Sequence, residues 1–257
     1  MSEIIVRRAR REDCKAVQKL SKELMKYEKL SDKPEMDDET FERDGFDGQD
    51  AIENDCHKLD FLVLEWNSAQ EFYKRHGAID LSSKEPWHRY RILKNNLKKL
   101  ADSRREDCEA IRILIQELAD YEKMPDGPKI DYKTLERDGF DGQPLYLCNV
   151  ATSDEKVIGY TLSYYTYSTW CGKSMYLEDI YVTPDFRRKH VGKKLLKAVA
   201  KEAIENDCHK LDFVVLKWNP AQEFYKRYRA SDLTSKEQWH CYRFVEEDLK
   251  KLAFDCE

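Results

Sequence analysis

The feature of this sequence that most constrains its fold is an internal repeat with two unequal copies. Residues 10–49 match residues 104–143 with 24 identities in 40 positions, and residues 51–101 match residues 203–253 with 37 identities in 51. The two offsets differ by 58, so the first copy lacks a block that corresponds to about residues 144–201 of the second. Unequal copies exclude a solenoid of equal units and predict one complete domain, preceded by an incomplete duplicate of it.

The apolar pattern of the complete copy predicts helices alternating with strands. Isoleucine and leucine recur at helical spacing after Cys108, with Asp107 as the predicted N-cap, and the strand segments are rich in β-branched and aromatic residues. Strands mixed with helices predict an α/β (α+β) fold in which helices flank one mixed sheet. The predicted helices cover residues 108–123, 132–138, 192–206 and 222–228, and the predicted strands cover residues 144–151, 157–168, 175–182, 210–216 and 239–245.

We expect the division between the copies to be the domain boundary. Residues 1–101 form the incomplete repeat, which lacks the central strands, and residues 102–257 form the complete domain. The complete copy lacks a first strand of its own, because the residues before Arg104 continue a helical pattern. The strand predicted at Ile4–Arg8 is therefore expected to fill that position across the chain.

Composition and charge argue against several classes of protein. Hydrophobic residues make up 41% of the chain and aromatic residues 12%, which is enough for a core and argues against a disordered chain. The net charge of −5 argues against a nucleic-acid partner, and the sequence contains neither an apolar run of membrane-spanning length nor a signal-peptide core. Eight cysteines without a CxxC pair and six histidines without an HxxxH or HxH pair predict free thiols in the cytoplasm and no metal site.

The block that the first copy lacks contains a junction suited to an anion. The predicted strand ending at Val182 leads through a short loop into the helix predicted from Gly192. The free N–H groups of a helix start and the helix dipole favour a negative ligand there. Arg187, Arg188 and Lys189 add positive charge for phosphates, although a basic solvated turn accounts for the charges equally well.

Several segments of the complete copy carry a family resemblance. They are YSTWCGKSMYLEDIYVTPDFR at 167–187, ELADYEK at 117–123, ERDGF at 136–140, LKWN at 216–219, FYKR at 224–227 and DLTSKEQWH at 232–240. With them the sequence resembles the GNAT family of N-acetyltransferases, in its diamine (spermidine/spermine) and thialysine branch. The resemblance covers residues 104–253 in full and 3–101 in two pieces, and YSTW followed by YLEDIYV favours the thialysine type. It implies a GNAT-type mixed sheet and transfer of acetyl from acetyl-CoA, the co-substrate, to a primary amine of a polyamine or lysine-like small molecule.

The resemblance also implies which residues bind acetyl-CoA. The backbone of strand residues 180–182 would pair with the pantetheine arm and polarise the thioester carbonyl, and the loop 188–193 would hold the pyrophosphate. The predicted residues are Ile180, Tyr181, Val182, Arg187, Arg188, Lys189, His190, Val191, Gly192, Lys193 and Asn219.

The same resemblance implies a catalytic pair. Tyr225 would protonate the leaving thiolate, and Glu178 would act as the base through water. These residue types suit the chemistry, because an alkylammonium must lose a proton before it attacks a thioester and a phenol can protonate a thiolate. A solvated Glu178 and a core-facing Tyr225 are the structural alternatives. The residues predicted to bind the polycationic amine are Tyr121, Glu122, Trp170, Glu178, Asp179 and Glu237.

The predicted pyrophosphate loop departs from the family pattern, in which glycines recur. Only Gly192 is retained, and His190 stands where the family has its central glycine. Because backbone must approach the phosphates closely, this departure predicts weakened acetyl-CoA binding. The alternative is a degenerate, non-catalytic binding or regulatory module; acetylation of protein lysine is a third interpretation, and a mis-assembled coding sequence would give the same interrupted layout.

Members of this family are typically homodimers, so the resemblance implies either a homodimer or an intrachain pseudo-dimer. In the pseudo-dimer, residues 1–101 would replace part of a partner subunit and lay Trp87–Leu93 beside the sheet of the second copy. The other partner predictions are a small polycationic amine as substrate, no nucleic acid and no membrane.

Overall fold

A computed structural model describes most of the complete copy and parts of the first. The described residues are 13–28, 58–65, 67–80, 87–93, 103–237, 239–245, 248 and 252–253. The strand predicted at Ile4–Arg8 lies outside them. Within these ranges, every helix is too short or too polar to cross a lipid bilayer.

By its internal contacts the chain forms two compact units. The first unit comprises Met1–Lys84, Tyr167–Lys173 and Gln238–Glu257, and the second comprises Glu85–Thr166 and Ser174–Glu237. These boundaries differ from the division expected at residue 101, because each unit contains a strand from the other copy.

A six-stranded mixed sheet forms the centre of the second unit. In spatial order its strands are β4, β5, β6, β7, β3 and β8. The β4–β5 and β3–β7 pairs are antiparallel, whereas β6 and β7 are parallel. The strands are β3 (Trp87–Leu93), β4 (Leu147–Ser153), β5 (Lys156–Ser168), β6 (Gly172–Val182), β7 (Lys210–Leu216) and β8 (Ser231–Asp232).

Helices supply the apolar residues that cover this sheet. Ile111 and Leu114 of one helix share a core with the fully buried Tyr160 of β5, and Leu196 and Val199 of another share a core with strands β6 and β7. This arrangement agrees with the α/β fold predicted from the sequence. The helices are α3 (Cys108–Tyr121), α4 (Tyr132–Phe140), α5 (Val191–Glu205), α6 (Ala221–Arg227) and α7 (Leu233–Glu237).

Helix α3 begins at Cys108 with Asp107 at the N-cap position, as predicted, but the Asp107 side chain makes no capping hydrogen bond there. A 3₁₀ turn over Arg105–Asp107 precedes the helix, and the Asp107 carboxylate instead accepts a hydrogen bond from the backbone N–H of Arg104 at 2.8 Å. The position of the cap was therefore predicted correctly, whereas its hydrogen bond is absent because the preceding turn uses the same carboxylate.

The first unit contains a smaller antiparallel sheet. Its strand order is β1 (Lys58–Leu64), β9 (Trp239–Val245) and β2 (Ile79–Asp80). Its helices include α1 (Cys14–Tyr27) and α2 (Ala69–Arg75). Its core centres on Tyr242, which is fully buried beside Val63 and Ala78 and whose hydroxyl donates to the Gln70 side chain at 2.8 Å. A buried tyrosine with a satisfied hydroxyl stabilises this small sheet.

The long C-terminal strand of each copy pairs with a strand of the other copy. Strand β3 of the first copy pairs with β7, with Trp87 opposite Leu216, and β9 of the second copy pairs with β1, with Trp239 opposite Leu64. Both pairings have the same register once the repeat offset is applied. As predicted, Trp87–Leu93 lies beside the sheet of the second copy, and because it also pairs with β8 it is an interior strand.

Candidate functional site

The parallel strands β6 and β7 diverge along their length. Their register covers Met175–Tyr176 against Leu211–Asp212, and no further β6–β7 pair is found in the described part of either strand. The end of β6 stays attached to β5, since the N–H of Thr183 donates to the carbonyl of Ile158 at 3.0 Å. Divergence opens one edge of β6 to an extended ligand, which can pair with strand backbone. The diverging part of β6 carries Ile180, Tyr181 and Val182.

The loop after β6 is basic and has a constrained backbone. Arg188 and His190 have φ of 62° and 63°, in the left-handed region that glycine adopts most easily. His190 directly precedes α5, and its side chain makes no capping hydrogen bond. Because the first N–H groups of a helix have no intrahelical acceptor, this end suits an anion. Arg188, Lys189 and His190 are exposed, and Val191, Gly192 and Lys193 are half-buried.

Arg187 lies against aromatic rings. Its guanidinium carbon is 5.0 Å from the ring centroid of Tyr121 and 5.3 Å from that of Tyr181, and its Nε donates to the carbonyl of Val182 at 2.8 Å. The Tyr181 hydroxyl in turn donates to Glu117 at 3.1 Å. The sequence predicted a phosphate-binding role for Arg187, whereas these contacts join the end of β6 to the end of α3.

Two tyrosines of β5 hold the adjacent carboxylates of β6. The Tyr160 hydroxyl donates to Asp179 at 2.9 Å, and the Tyr164 hydroxyl donates to Glu178 at 3.1 Å. Tyr160 and Tyr164 are four residues apart on one strand, so they share a face of the sheet. Each carboxylate is therefore held by a phenol of β5, although Glu178 is exposed and Asp179 is half-buried.

Tyr225 lies within the electrostatic reach of two carboxylates. It is 5% exposed on α6, with its ring centroid 4.5 Å from that of Phe213. Burial raises the pKa of its phenol, and the charges of Glu122 and Asp179 raise it further. Burial and then the charge of Asp179 raise the pKa of Glu122 to about 7. The structure thus brings Tyr225, Glu122 and Asp179 together, with Glu178 beside Asp179.

Tyr121, at the end of α3, packs against a second aromatic ring. The ring centroids of Tyr121 and Trp218 are 5.7 Å apart. The ammonium of Lys123 lies 5.2 Å from the centroid of the Trp218 ring, a cation–π distance. Tyr121, predicted to bind the amine, is therefore part of an aromatic corner that accepts cations.

Three other predicted residues have different surroundings. The Asn219 side chain accepts from the backbone N–H of Ala221 at 2.9 Å, so it organises the turn into α6. Trp170 lies in the turn between β5 and β6, within the segment that belongs to the first unit. Glu237 ends α7, and its side chain is outside the described part of the structure.

Three side chains of this region were not predicted from the sequence. Glu117 holds the Tyr181 hydroxyl, Tyr160 holds Asp179, and Trp218 packs on Tyr121. Glu117 and Trp218 lie within the segments ELADYEK and LKWN, so the motifs contained them. Their spacing alone did not indicate which functional residue each one supports.

Comparisons with known proteins identify the family and several relatives of this chain. Residues 111–229 match the model of the acetyltransferase (GNAT) family. The thialysine N-ε-acetyltransferase of Bos taurus is 43% identical over 163 residues, which is 60% of this chain and 96% of that protein. The enzyme of the same name from Mus musculus is 39% identical over 164 residues, again 60% of this chain and 96% of that protein. Among solved structures, an integron cassette protein from V. cholerae has a TM-score of 0.49 and 26% identity, covering 61% of this chain and 98% of that one.

The family match spans the diverging strands, the basic loop and Tyr225, which are the parts of the structure that form the site. The match to the bovine protein extends over nearly its whole length at an identity well above the range in which fold alone is shared. The chain therefore belongs to the GNAT family of acetyltransferases.

Proposed function

We propose that this acetyltransferase moves the acetyl group of acetyl-CoA to the primary amine of a lysine-like small molecule of the thialysine type. The observation that carries the proposal is the buried phenol of Tyr225, whose pKa is raised by burial and by the charges of Glu122 and Asp179. Carboxylates attract and deprotonate an ammonium group, and a phenol can protonate the thiolate that leaves. Relatives named for thialysine acetylation match over nearly their whole length, which does not favour a non-catalytic module.

Acetyl-CoA fits the opening beside β6. We propose that the backbone of Ile180, Tyr181 and Val182 pairs with its pantetheine arm and that the loop 188–193 holds its pyrophosphate. The divergence of β6 from β7 provides the open strand edge, and the start of α5 provides N–H groups and positive charge. Asn219 would then contribute through the turn that it holds rather than through a direct contact.

In the proposed reaction, the acceptor ammonium first gives one proton to a carboxylate of the site. The neutral amine attacks the thioester carbonyl carbon, the carbon–sulfur bond breaks, and the thiolate takes a proton from Tyr225. The new amide nitrogen gives up its second proton, which restores the phenol. One proton per turnover leaves through the carboxylate to solvent. We propose that Glu178, Asp179, Tyr121, Glu237 and Trp170 take part in binding the amine.

A panel of amines tests the proposed acceptor. Acetyl-CoA consumption should be measured in parallel with thialysine, lysine, spermidine and putrescine. We expect the highest kcat/KM with thialysine, because the relatives of this chain are named as thialysine acetyltransferases. A higher value with spermidine would transfer the assignment to polyamines, and no consumption above the buffer rate with any amine would refute the proposed activity.

The left-handed backbone at His190 leads to a prediction about acetyl-CoA affinity. Replacing His190 by Gly should tighten acetyl-CoA binding about fivefold, which is about 1 kcal/mol, because glycine removes the side chain and the strain of φ near 63°. Calorimetric titration of both proteins measures the change. The control is His209→Gly in the exposed turn before β7, which should leave the affinity unchanged. Equal affinities for the parent and His190→Gly proteins would contradict the steric explanation.

We further propose that the chain is a cytoplasmic intrachain pseudo-dimer, with residues 1–101 and 102–257 as its two halves. The reciprocal exchange of β3 and β9 supports this assignment, since each copy supplies the strand that completes the sheet of the other.

A further inference from the structure

We propose that Lys123 is the residue by which the site selects an amino acid over a diamine, because its ammonium binds the carboxylate of the lysine-like acceptor. This assignment rests on the proposed acetyl transfer and adds to it the residue that distinguishes two classes of amine. A lysine-like acceptor and a diamine both present a primary amine to the thioester. They differ at the other end, where the amino acid carries a carboxylate and the diamine carries only a second ammonium.

The first argument is the charge that each end of the acceptor needs. The carboxylates of the candidate site, on Glu122, Glu178 and Asp179, attract ammonium groups and repel a carboxylate. The carboxylate of an amino acid therefore binds where the site offers a cation. Lys123 and Arg187 are the described cations that lie against the aromatic rings at the end of α3.

The second argument is that the charge of Lys123 is open to a ligand, whereas that of Arg187 is partly used. The Nε of Arg187 donates to the carbonyl of Val182 at 2.8 Å. The ammonium of Lys123 lies 5.2 Å from the centroid of the Trp218 ring, and no carboxylate of the described residues forms an ion pair with it. Lys123 is exposed and Trp218 is 42% exposed, so a carboxylate from solvent can reach this ammonium.

The third argument is the backbone that holds Lys123. Its N–H donates to the carbonyl of Asp120 at 3.1 Å, and the N–H of Met124 donates to that of Ala119 at 2.8 Å, which is a Schellman motif at the end of α3. Lys123, with φ of 63°, occupies the position of that motif where glycine is usual. A lysine there accepts a backbone strain that glycine avoids, and such residues cluster at functional sites.

Two connections link Lys123 to the proposed reaction. Lys123 directly follows Glu122, whose charge acts on the Tyr225 phenol. The Trp218 ring beside its ammonium belongs to the turn that leads through Asn219 into α6, the helix that carries Tyr225. The ammonium therefore lies at the exposed edge of the region that contains the proposed chemistry, where the far end of an extended acceptor would bind.

The same charge disfavours a diamine. A fixed ammonium repels the second ammonium of a diamine, so Lys123 discriminates both by attraction and by repulsion. The contact involves the end of the acceptor that does not react, and a contact that is equal in the bound substrate and in the transition state changes KM rather than kcat. Removing the charge should therefore change the preference between the two acceptors through KM.

The test measures kcat and KM for thialysine and for its decarboxylated diamine analogue. Lys123→Met should lower the ratio of kcat/KM for thialysine to that for the diamine about tenfold, with kcat little changed. Lys123→Arg keeps the charge and should keep the ratio within about twofold of the parental value. Lys29→Met, the same substitution at the equivalent position of the first copy, is the matched control and should match the parent.

A glycine variant separates a role in binding from a role in the fold. Glycine suits the φ of 63° at this position, so the melting temperature of Lys123→Gly should equal or exceed that of the parent. Its preference for thialysine should nevertheless fall as in Lys123→Met. A lower melting temperature with an unchanged preference would assign the lysine to the end of α3 and overturn the inference.

Calorimetric titration of the CoA complex with each acceptor is independent of turnover. The parent should bind thialysine more tightly than the diamine, and Lys123→Met should lose that difference. Equal ratios for the parent and Lys123→Met would overturn the inference, as would a rise in the KM for acetyl-CoA in place of that for thialysine, which a phosphate contact would cause. A parent that shows the binding difference but acetylates neither acceptor would instead refute the proposed function and leave the carboxylate contact in place.

Discussion

Replacing Tyr90 by Pro should destabilise the second unit by about 3 kcal/mol, because proline removes a backbone donor from an interior strand. Tyr90 lies in β3, opposite Phe213 of β7 and Asp232 of β8. For a protein of this size the melting temperature should fall by about 6 to 12 °C. Calorimetry or circular dichroism measures that shift.

The Tyr90→Pro substitution should lower the acetyltransferase activity as well as the stability. Strand β7 leads through Asn219 into α6, which carries Tyr225, so weakening the β3–β7 pair loosens the support of the proposed acid. Tyr90→Phe is the matched control, since it keeps the backbone N–H and the ring; its melting temperature should stay within about 2 °C of the parent. A proline variant as stable as the parent would show that β3 is not an interior strand of this sheet.

The boundaries of the exchanged strands could be predicted from the sequence, but their pairing partners could not be predicted from the local pattern. The boundaries predicted for β7 and β9, residues 210–216 and 239–245, agree with the structure because these runs are apolar and flanked by turns. The partner of each strand was harder to predict. The sequences WHRYRIL of β3 and WHCYRFV of β9 are nearly interchangeable, as are those of β1 and β7. Local pattern alone therefore permits either pairing, and only the expected partner role of the first copy indicated the exchange.

The candidate site, too, could be predicted only in part from the sequence. Motifs placed Tyr225, Glu122, Glu178 and Asp179 in one region, and the structure brings them there. Motifs did not show how the surroundings of these carboxylates differ, because the differences depend on burial and on which phenol donates to which carboxylate. Nor did they show that Arg187 lies against Tyr121, since a loop residue that follows a strand can point along the loop or back across the sheet. Tertiary packing determines both the surroundings of the carboxylates and the direction of the Arg187 side chain.

Replacing Tyr225 by Phe should lower kcat about 1000-fold, since the leaving thiolate loses its proton donor. The ring contacts with Phe213 and Phe224 need no hydroxyl, so the fold should persist and the KM for the amine should change little. Because burial raises the pKa of this phenol, it stays protonated well above neutral pH, and the parent should show no alkaline loss of rate below about pH 10. Steady-state kinetics from pH 6 to about pH 10 measure both effects.

The leaving group provides the discriminating measurement for Tyr225. With an acetyl thioester of an acidic aromatic thiol, the thiolate departs without a proton, so the loss caused by Tyr225→Phe should shrink to about tenfold or less. Tyr73→Phe alters the equivalent tyrosine of the first copy, which lies in the small core of the first unit, and should leave both rates unchanged. An equal loss with both thioesters would assign Tyr225 to positioning the substrate, since a proton donor is needed only where the thiolate is basic.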